Sequence, residues 1–490
     1  MKIIYCFLLL LLSITGCKVS APSSSTPQTS FADDAVKQMI DKQAIWLLSH
    51  PELHAASIGV FNNGKINMYH YGELDPEKGN KPTDSTIYEI ASISKTFTGT
   101  LVANAVLEGR LNLEDDIRKY LKEEYPNLAF EGKPIQIKHL LTHTSALPRA
   151  LPIDDHIWEN PGDSLAFKLH DLAKDYSKGQ FLKDLHFVKL KEVPGGAYSY
   201  SNISPNLLAH ILENIYEKSF DELLEQTIFK RAGLKNTKMR LRQGEQDRLA
   251  NGYNEKGVLM PHMESSLWGA DGGLKSTLPD LMLYMAFQLD KNSALAQKSQ
   301  EAVTATSQGY FWTVKENNGS KTVSGHGGAF GTQTWFSFYP QHNRGIVVVT
   351  NESGPNTAGI ISGMLPWNSL YIDLLQQLNK DGREKAIAFY KDIKAMNVKD
   401  YHFETAENQL NELGYHLLGE KRIEDAIAIF KLNALEFATS ANAFDSLGEA
   451  YLVKGNKELS LKSYKQALAL DARSENAKKM IRKLEDTTQK

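Results

Sequence analysis

The stretch "YEIASISKTFTG", residues 88–99, places Ser92 and Lys95 three residues apart at the head of an apolar helical pattern. Ile93, Phe97 and Leu101 recur at helical spacing, Val102, Ala105 and Val106 continue that face, and Gly109 closes it. The spacing predicts a helix that starts near Ser92 and ends before Gly109. At that separation Ser92 and Lys95 point to one side, whereas Ser94 faces elsewhere. Ser92 also sits where backbone N–H groups of a helix start point at a developing anion, which makes it the candidate nucleophile. Taken alone, Ser-x-x-Lys is equally a helix-capping serine followed by a solvated lysine.

Two later segments supply companions. In "GGAYSYSNISPNLLAHILE", Tyr200 and Asn202 precede an apolar helical run, where a phenol can relay protons and an amide can hold a substrate. In "SGHGGAFGTQTWFSF", His326, Gly327 and Gly328 lie just before a strand, and the glycines allow a ligand to approach the strand edge.

Together with "IQIKHLLTHTSALP" and "GADGGLKSTLPDL", these motifs resemble, in order and across roughly residues 31–375, the serine β-lactamase and penicillin-recognising peptidase family. The likeness is to the class C β-lactamase, D-alanyl-D-alanine carboxypeptidase and esterase branch. That resemblance implies an α+β fold, the β-lactamase/transpeptidase-like sandwich of an antiparallel sheet flanked by helices plus a helical half. It also implies roles. Ser92 would form an acyl-enzyme, Lys95 and Tyr200 would share the proton transfers, and Asn202 would hold the substrate's amide side. His326 and Gly328 would line the far wall, and the backbone N–H groups of Ser92 and Ala329 would form the oxyanion hole. Which of Lys95 and Tyr200 is the base is left open. Family β-lactamases carry Lys-Thr-Gly or Lys-Ser-Gly where this chain has His326-Gly327-Gly328, so weak or no β-lactamase activity is expected. The implied function is a serine hydrolase acting on an ester, amide or D-amino-acid peptide. The alternative is a silent relative that binds a ligand or partner. His143, in "LLTHTSALP", reads as structural.

The rest of the 490-residue chain divides around this region. "MKIIYCFLLLLLSITGC" reads as a signal peptide over residues 1–16, and its end resembles a lipobox with Cys17 as the lipidation site. A Ser/Thr/Pro-rich linker follows over 17–30, so the expected location is the bacterial cell envelope, lipid-anchored to a membrane. With Cys6 removed and Cys17 acylated, no disulfide or cysteine metal site is expected. Strands flanking Asn63-Gly64 predict a hairpin, and "TQTWFSFYP" with "GIVVVTN" predicts a second pair far downstream in the same antiparallel sheet. The hydrolase-like domain is assigned to 31–378, a helical connector to 379–404 and tetratricopeptide repeats to 405–490.

The repeat assignment rests on a period of 34 residues that aligns Leu413 with Leu447, Gly414 with Gly448, Ala426 with Ser460 and Phe430 with Tyr464. An Ala386-to-Tyr390 step echoes it upstream as a degenerate first repeat, and "SENAKKMIRKLED" reads as a capping helix. The repeats offer a surface for a protein partner. A net charge of −3 argues against nucleic-acid binding, and no dinucleotide, phosphate-loop or metal-ligand spacing appears, so no cofactor is expected.

Overall fold

The computed structural model describes residues 31–486 apart from 77, 153–156, 158–163, 265–266, 305–307, 318–319, 355–369, 397–400, 402 and 404–405. The expected signal peptide, linker and lipidation site at Cys17 lie outside the described residues.

Helix α1 (Phe31–Leu48) leads into the hairpin β1 (Ala55–Asn62) and β2 (Lys65–Gly72). Its two-residue turn has Asn63 and Gly64 at φ 50° and 90°, the left-handed pair that matches the twist of the flanking strands. The remaining strands of the sheet come from the other end of the region: β3 (Gln308–Gly309), β4 (Trp312–Asn317), β5 (Ser320–Gly328), β6 (Gln333–Tyr339) and β7 (Arg344–Thr350). The order is β2-β1-β7-β6-β5-β4-β3, with every pairing antiparallel. Strands β1 and β7 pair from Ala56↔Thr350 to Asn62↔Arg344. The distant strand pairs therefore meet in one sheet, as the sequence predicts.

Alternation gives the sheet two buried faces. On the inner face, Phe336, Phe338, Val347 and Val349 join a core with Trp312, Phe97, Tyr284 and Met282. On the outer face, Ile58, Val60, Ile346 and Val348 pack with Ile40, Ala44 and Leu47 of α1. The inner face receives α2 (Ser94–Leu107), whose residues Ser94–Ala103 and Ala105 are all buried, so it is a core helix and not an amphipathic one. Phe97 stacks on Tyr284 at 3.9 Å, and the Tyr284 hydroxyl lies 3.2 Å from those of Thr96 and Thr100. Tyr284 belongs to helix α5 (Leu278–Gln288), while α3 (Leu165–Ala173) and α4 (Ile203–Tyr216) belong to the helical half.

The C-terminal region is helical throughout its described length: α6 (Leu370–Asp381), α7 (Arg383–Ala395), α8 (Ala406–Gly419), α9 (Ile423–Glu436), α10 (Ala441–Val453), α11 (Lys457–Leu470) and α12 (Glu475–Asp486). A Cβ added to Gly414 of α8 would lie 2.4 Å from the Phe430 ring of α9, and one on Gly448 of α10 would lie 3.1 Å from Tyr464 of α11. The glycines aligned by the 34-residue period thus play the same part, admitting the partner helix's aromatic ring. Ala477, Ile481 and Leu484 of α12 close the far end against Tyr464 and Ala467.

The boundary at 378 requires correction. It falls inside α6, whose Leu370, Leu374, Leu375 and Leu378 belong to the same apolar cluster as α7 to α10. The helical region therefore starts no later than Leu370. It is tied to the sheet by a buried ion pair between Arg344 of β7 and Asp373 of α6. Among the described residues, no helix is long and apolar enough to cross a membrane, and no group of three or more His, Cys, Asp or Glu residues could hold a metal ion.

Candidate active site

The chain reaches Ser92 through a strained corner. Ala91 adopts φ 44°, a conformation uncommon for a residue with a side chain, and the 3-10 turn Ala91–Ile93 runs directly into α2. The helix proper thus starts at Ser94, two residues later than the nucleophile candidate, with Ser92 in the turn that caps it. Ser94 faces away from the cavity, where its hydroxyl accepts the Leu274 N–H at 3.1 Å.

Lys95 is 2% exposed and donates to Ser92 Oγ at 3.0 Å and to the backbone carbonyl of Asp271. Tyr200 Oη lies 2.7 Å from Ser92 Oγ, and Lys95 Nζ lies 5.0 Å from the Tyr200 ring centre. Residues 92, 95 and 200 are therefore brought together. The segment bearing Asp271 is strapped to α2 twice more, by the Ser94 contact and by Thr98 donating to the Ala270 carbonyl at 3.1 Å.

Tyr200 is braced from the 143–149 segment. The Ser199 N–H donates to the His143 carbonyl at 2.7 Å, the Asn202 N–H to the Arg149 carbonyl at 2.7 Å, and the Ser201 N–H to His143 Nδ1 at 3.2 Å. The His143 ring packs against Tyr200 with centroids 4.5 Å apart. Burial, helped by the Lys95 charge, pushes His143 down to about 3, so it is a neutral acceptor at Nδ1. His143 positions the tyrosine's loop.

Ser92, Tyr200, Asn202, Gly328 and Ala329 all line one cavity of ≈ 680 Å³. Asn202 caps α4, and its Oδ1 is buried without a hydrogen-bond partner among the described residues. Gly327 lets β5 approach the nucleophile's turn, since a Cβ there would meet the Ile90 carbonyl oxygen at 2.2 Å and Ser92 N at 3.0 Å.

Two expectations fail geometrically. His326 does not line the cavity. Gly325 and Gly327 turn inward to Ile93 and the Ser92 turn, so alternation points His326 outward, where it stacks on Trp335 at 4.3 Å and bonds the Gln333 side chain. The Ala329 N–H, expected in an oxyanion hole, instead donates to the Thr332 carbonyl at 2.9 Å. Sequence reasoning also passed over three residues: the Asp271 carbonyl, Arg149, whose Cζ lies 5.6 Å from the Tyr200 ring centre, and Asn206 on the cavity wall. Asn206 follows Asn202 by one helical turn, which was the available signal.

Residues 35–364 match the family model described as Beta-lactamase. Protein flp of Staphylococcus aureus (strain N315) is 28% identical over 331 residues, covering 64% of this chain and 63% of flp, so the match spans less than two thirds of that relative. A Beta-lactamase of Pseudomonas fluorescens is 27% identical over 280 residues, covering 56% of this chain and 71% of the relative. Among solved structures, a beta-lactamase/D-alanine carboxypeptidase from Yersinia pestis complexed with citrate superposes with a TM-score of 0.56 at 23% identity, over 67% of this chain and 96% of that one. A class C beta-lactamase gives a TM-score of 0.56 at 21% identity, over 68% and 97%. With the family model matched from residue 35 to residue 364, the chain belongs to the beta-lactamase family.

Proposed function

We propose that the protein is a serine hydrolase that works through an acyl-enzyme on an ester, amide or D-amino-acid peptide. The observation that carries this is the convergence of Tyr200 and Lys95 on Ser92 Oγ at 2.7 and 3.0 Å in the wall of one cavity. In this reading Ser92 Oγ attacks the carbonyl and its proton passes to the Tyr200–Lys95 pair. The pair delivers that proton to the leaving group, and water then cleaves the acyl-enzyme. Asn202 Oδ1 accepts a substrate N–H. Because the lysine of the family's Lys-Thr-Gly is replaced by an outward-facing histidine, β-lactams lose a carboxylate anchor, and they are turned over poorly.

The 34-residue period and the glycine–aromatic pairs support reading the C-terminal helices as tetratricopeptide repeats that engage a protein partner. The residue pattern ending at Cys17 supports a lipid anchor in the bacterial envelope. A second reading, a ligand binder without turnover, is favoured by the engaged Ala329 N–H.

Intact-mass measurement after treatment with a fluorophosphonate and, separately, with a penicillin separates these readings, with Ser92→Ala as control. The expected result is a fluorophosphonate adduct on Ser92 that is absent from the control. A stable penicillin adduct beside it indicates a peptidase, and its absence an esterase or amidase. No adduct from either reagent leaves the binder.

A further inference from the structure

Beyond Asn202, the cavity wall carries a second amide whose oxygen has no partner. Asn206 is 2% exposed, and its Oδ1 is buried without a hydrogen-bond partner among the described residues. Its orientation is fixed. Asn206 Nδ2 donates to the Asn202 backbone carbonyl at 3.1 Å, and the reversed amide would set two acceptors against each other. The free atom is therefore an acceptor, and leaving a buried acceptor unsatisfied is costly.

The same cavity wall carries apolar residues beside polar ones such as Arg149 and His170. Leu169 of α3, Tyr176, Phe181 and Ile203 share the cavity wall with Asn206. The aromatic walls are held from behind: the Tyr176 hydroxyl donates to Asp184 at 2.8 Å, and Phe181 meets the Trp268 ring edge-on at 5.5 Å. Asn206 lies one turn of α4 beyond Asn202, about 6 Å further along the helix axis.

We propose that Asn206 marks a specificity subsite for an apolar substrate side chain that ends in one hydrogen-bond donor, one helical turn beyond Asn202. This rests on the cavity being the substrate site. A donor there completes the buried oxygen, whereas a methyl group of the same size leaves it bare. Sites built to bond a substrate hydroxyl or N–H reject the analogue that lacks it far more strongly than apolar pockets reject a change of size.

The test measures equilibrium binding to the full chain carrying Ser92→Ala, which cannot acylate. The probes are methyl 4-hydroxyphenylacetate and methyl 4-methylphenylacetate, a pair that differs only in O–H against CH3. The expected result is at least about tenfold tighter binding of the phenol. Asn206→Leu should abolish that preference, and a thermal melt of the variant reports that it is folded. Asn206→Asp retains an acceptor and should keep a preference. Equal affinities in the parent, no binding of the phenol, or a preference that survives Asn206→Leu would each overturn the proposal. Fluorophosphonate labelling of the unmodified chain is scored separately, so an inert Ser92 is distinguishable from an absent subsite.

Discussion

Gly327 is where the strand and the nucleophile's turn come closest, and replacing it with alanine tests the catalytic reading most directly. An added Cβ would stand 2.2 Å from the Ile90 carbonyl oxygen and 3.0 Å from both Ser92 N and Ile93 N. Ordinary contact begins near 3.4 Å, so the overlap with Ile90 O is about 1 Å, and it is with backbone that cannot swing aside. Either β5 or the Ala91–Ile93 turn must move by a comparable distance. A misplacement of about 1 Å at a reacting group costs on the order of 100-fold in rate. The assay is the rate of fluorophosphonate labelling at Ser92, read beside a thermal melt. Gly325→Ala is the comparator, because its nearest contacts would be side-chain atoms and not backbone, Trp312 Cζ3 at 3.0 Å and Ile93 Cδ1 at 3.2 Å. It should lower the melting temperature but change labelling by no more than a few fold. A Gly327→Ala protein that labels at the parent rate would refute the idea that this approach holds the nucleophile in place.

Two further outcomes concern stability. His143 and His139 are held by burial at about 3 and about 4, so their neutral forms favour the folded state; stability is complete above about pH 6.5 and is lost as pH falls toward those values. For His143 the loss by pH 5 is about 2 kcal/mol, and His143→Gln should flatten that part of the denaturant-midpoint profile; equal acid sensitivity in the two proteins would count against it. In the C-terminal region, Gly414→Ala should destabilise by about 1–3 kcal/mol because the Phe430 ring occupies the space, while Gly419→Ala, with nothing nearby, should not; chemical denaturation that ranks them otherwise would contradict the packing.

What could be read in advance follows the range of the physics involved. The Ser92–Lys95 pairing is local, set by helical spacing, and the Asn63-Gly64 turn is local backbone preference, so both were legible. Tyr200 and Asn202 came from their motif, since nothing in 108 residues of separation predicts a 2.7 Å contact. The face chosen by His326 was not legible. In Ser324-Gly325-His326-Gly327-Gly328 the glycines give no apolar phase, and register with Trp335 and Phe336 decides it. The engaged Ala329 N–H depends on the turn to Thr332, whose geometry no local pattern announces. The misplaced boundary has a similar cause. The leucines of α6 are spaced for burial, but spacing alone does not say whether the sheet or the following helices receive them.

The pairing of β1 with β7 has a consequence for how the molecule comes into being. Ala56 faces Thr350, so the sheet's central seam joins residues nearly 300 positions apart. Closing a loop of that length costs about 5 kcal/mol of chain entropy, against almost nothing for the hairpin of β1 with β2. During synthesis the seam stays open until β7 has left the ribosome, and until then the inner-face residues of β1 have no neighbour on that side. The hairpin can form early, but the surface that Phe336, Val347 and α2 build together waits for β7. A polypeptide interrupted between Tyr200 and Arg344 therefore carries Ser92, Lys95 and Tyr200 without the completed sheet that holds them in register, and it exposes an unpaired strand edge to its neighbours.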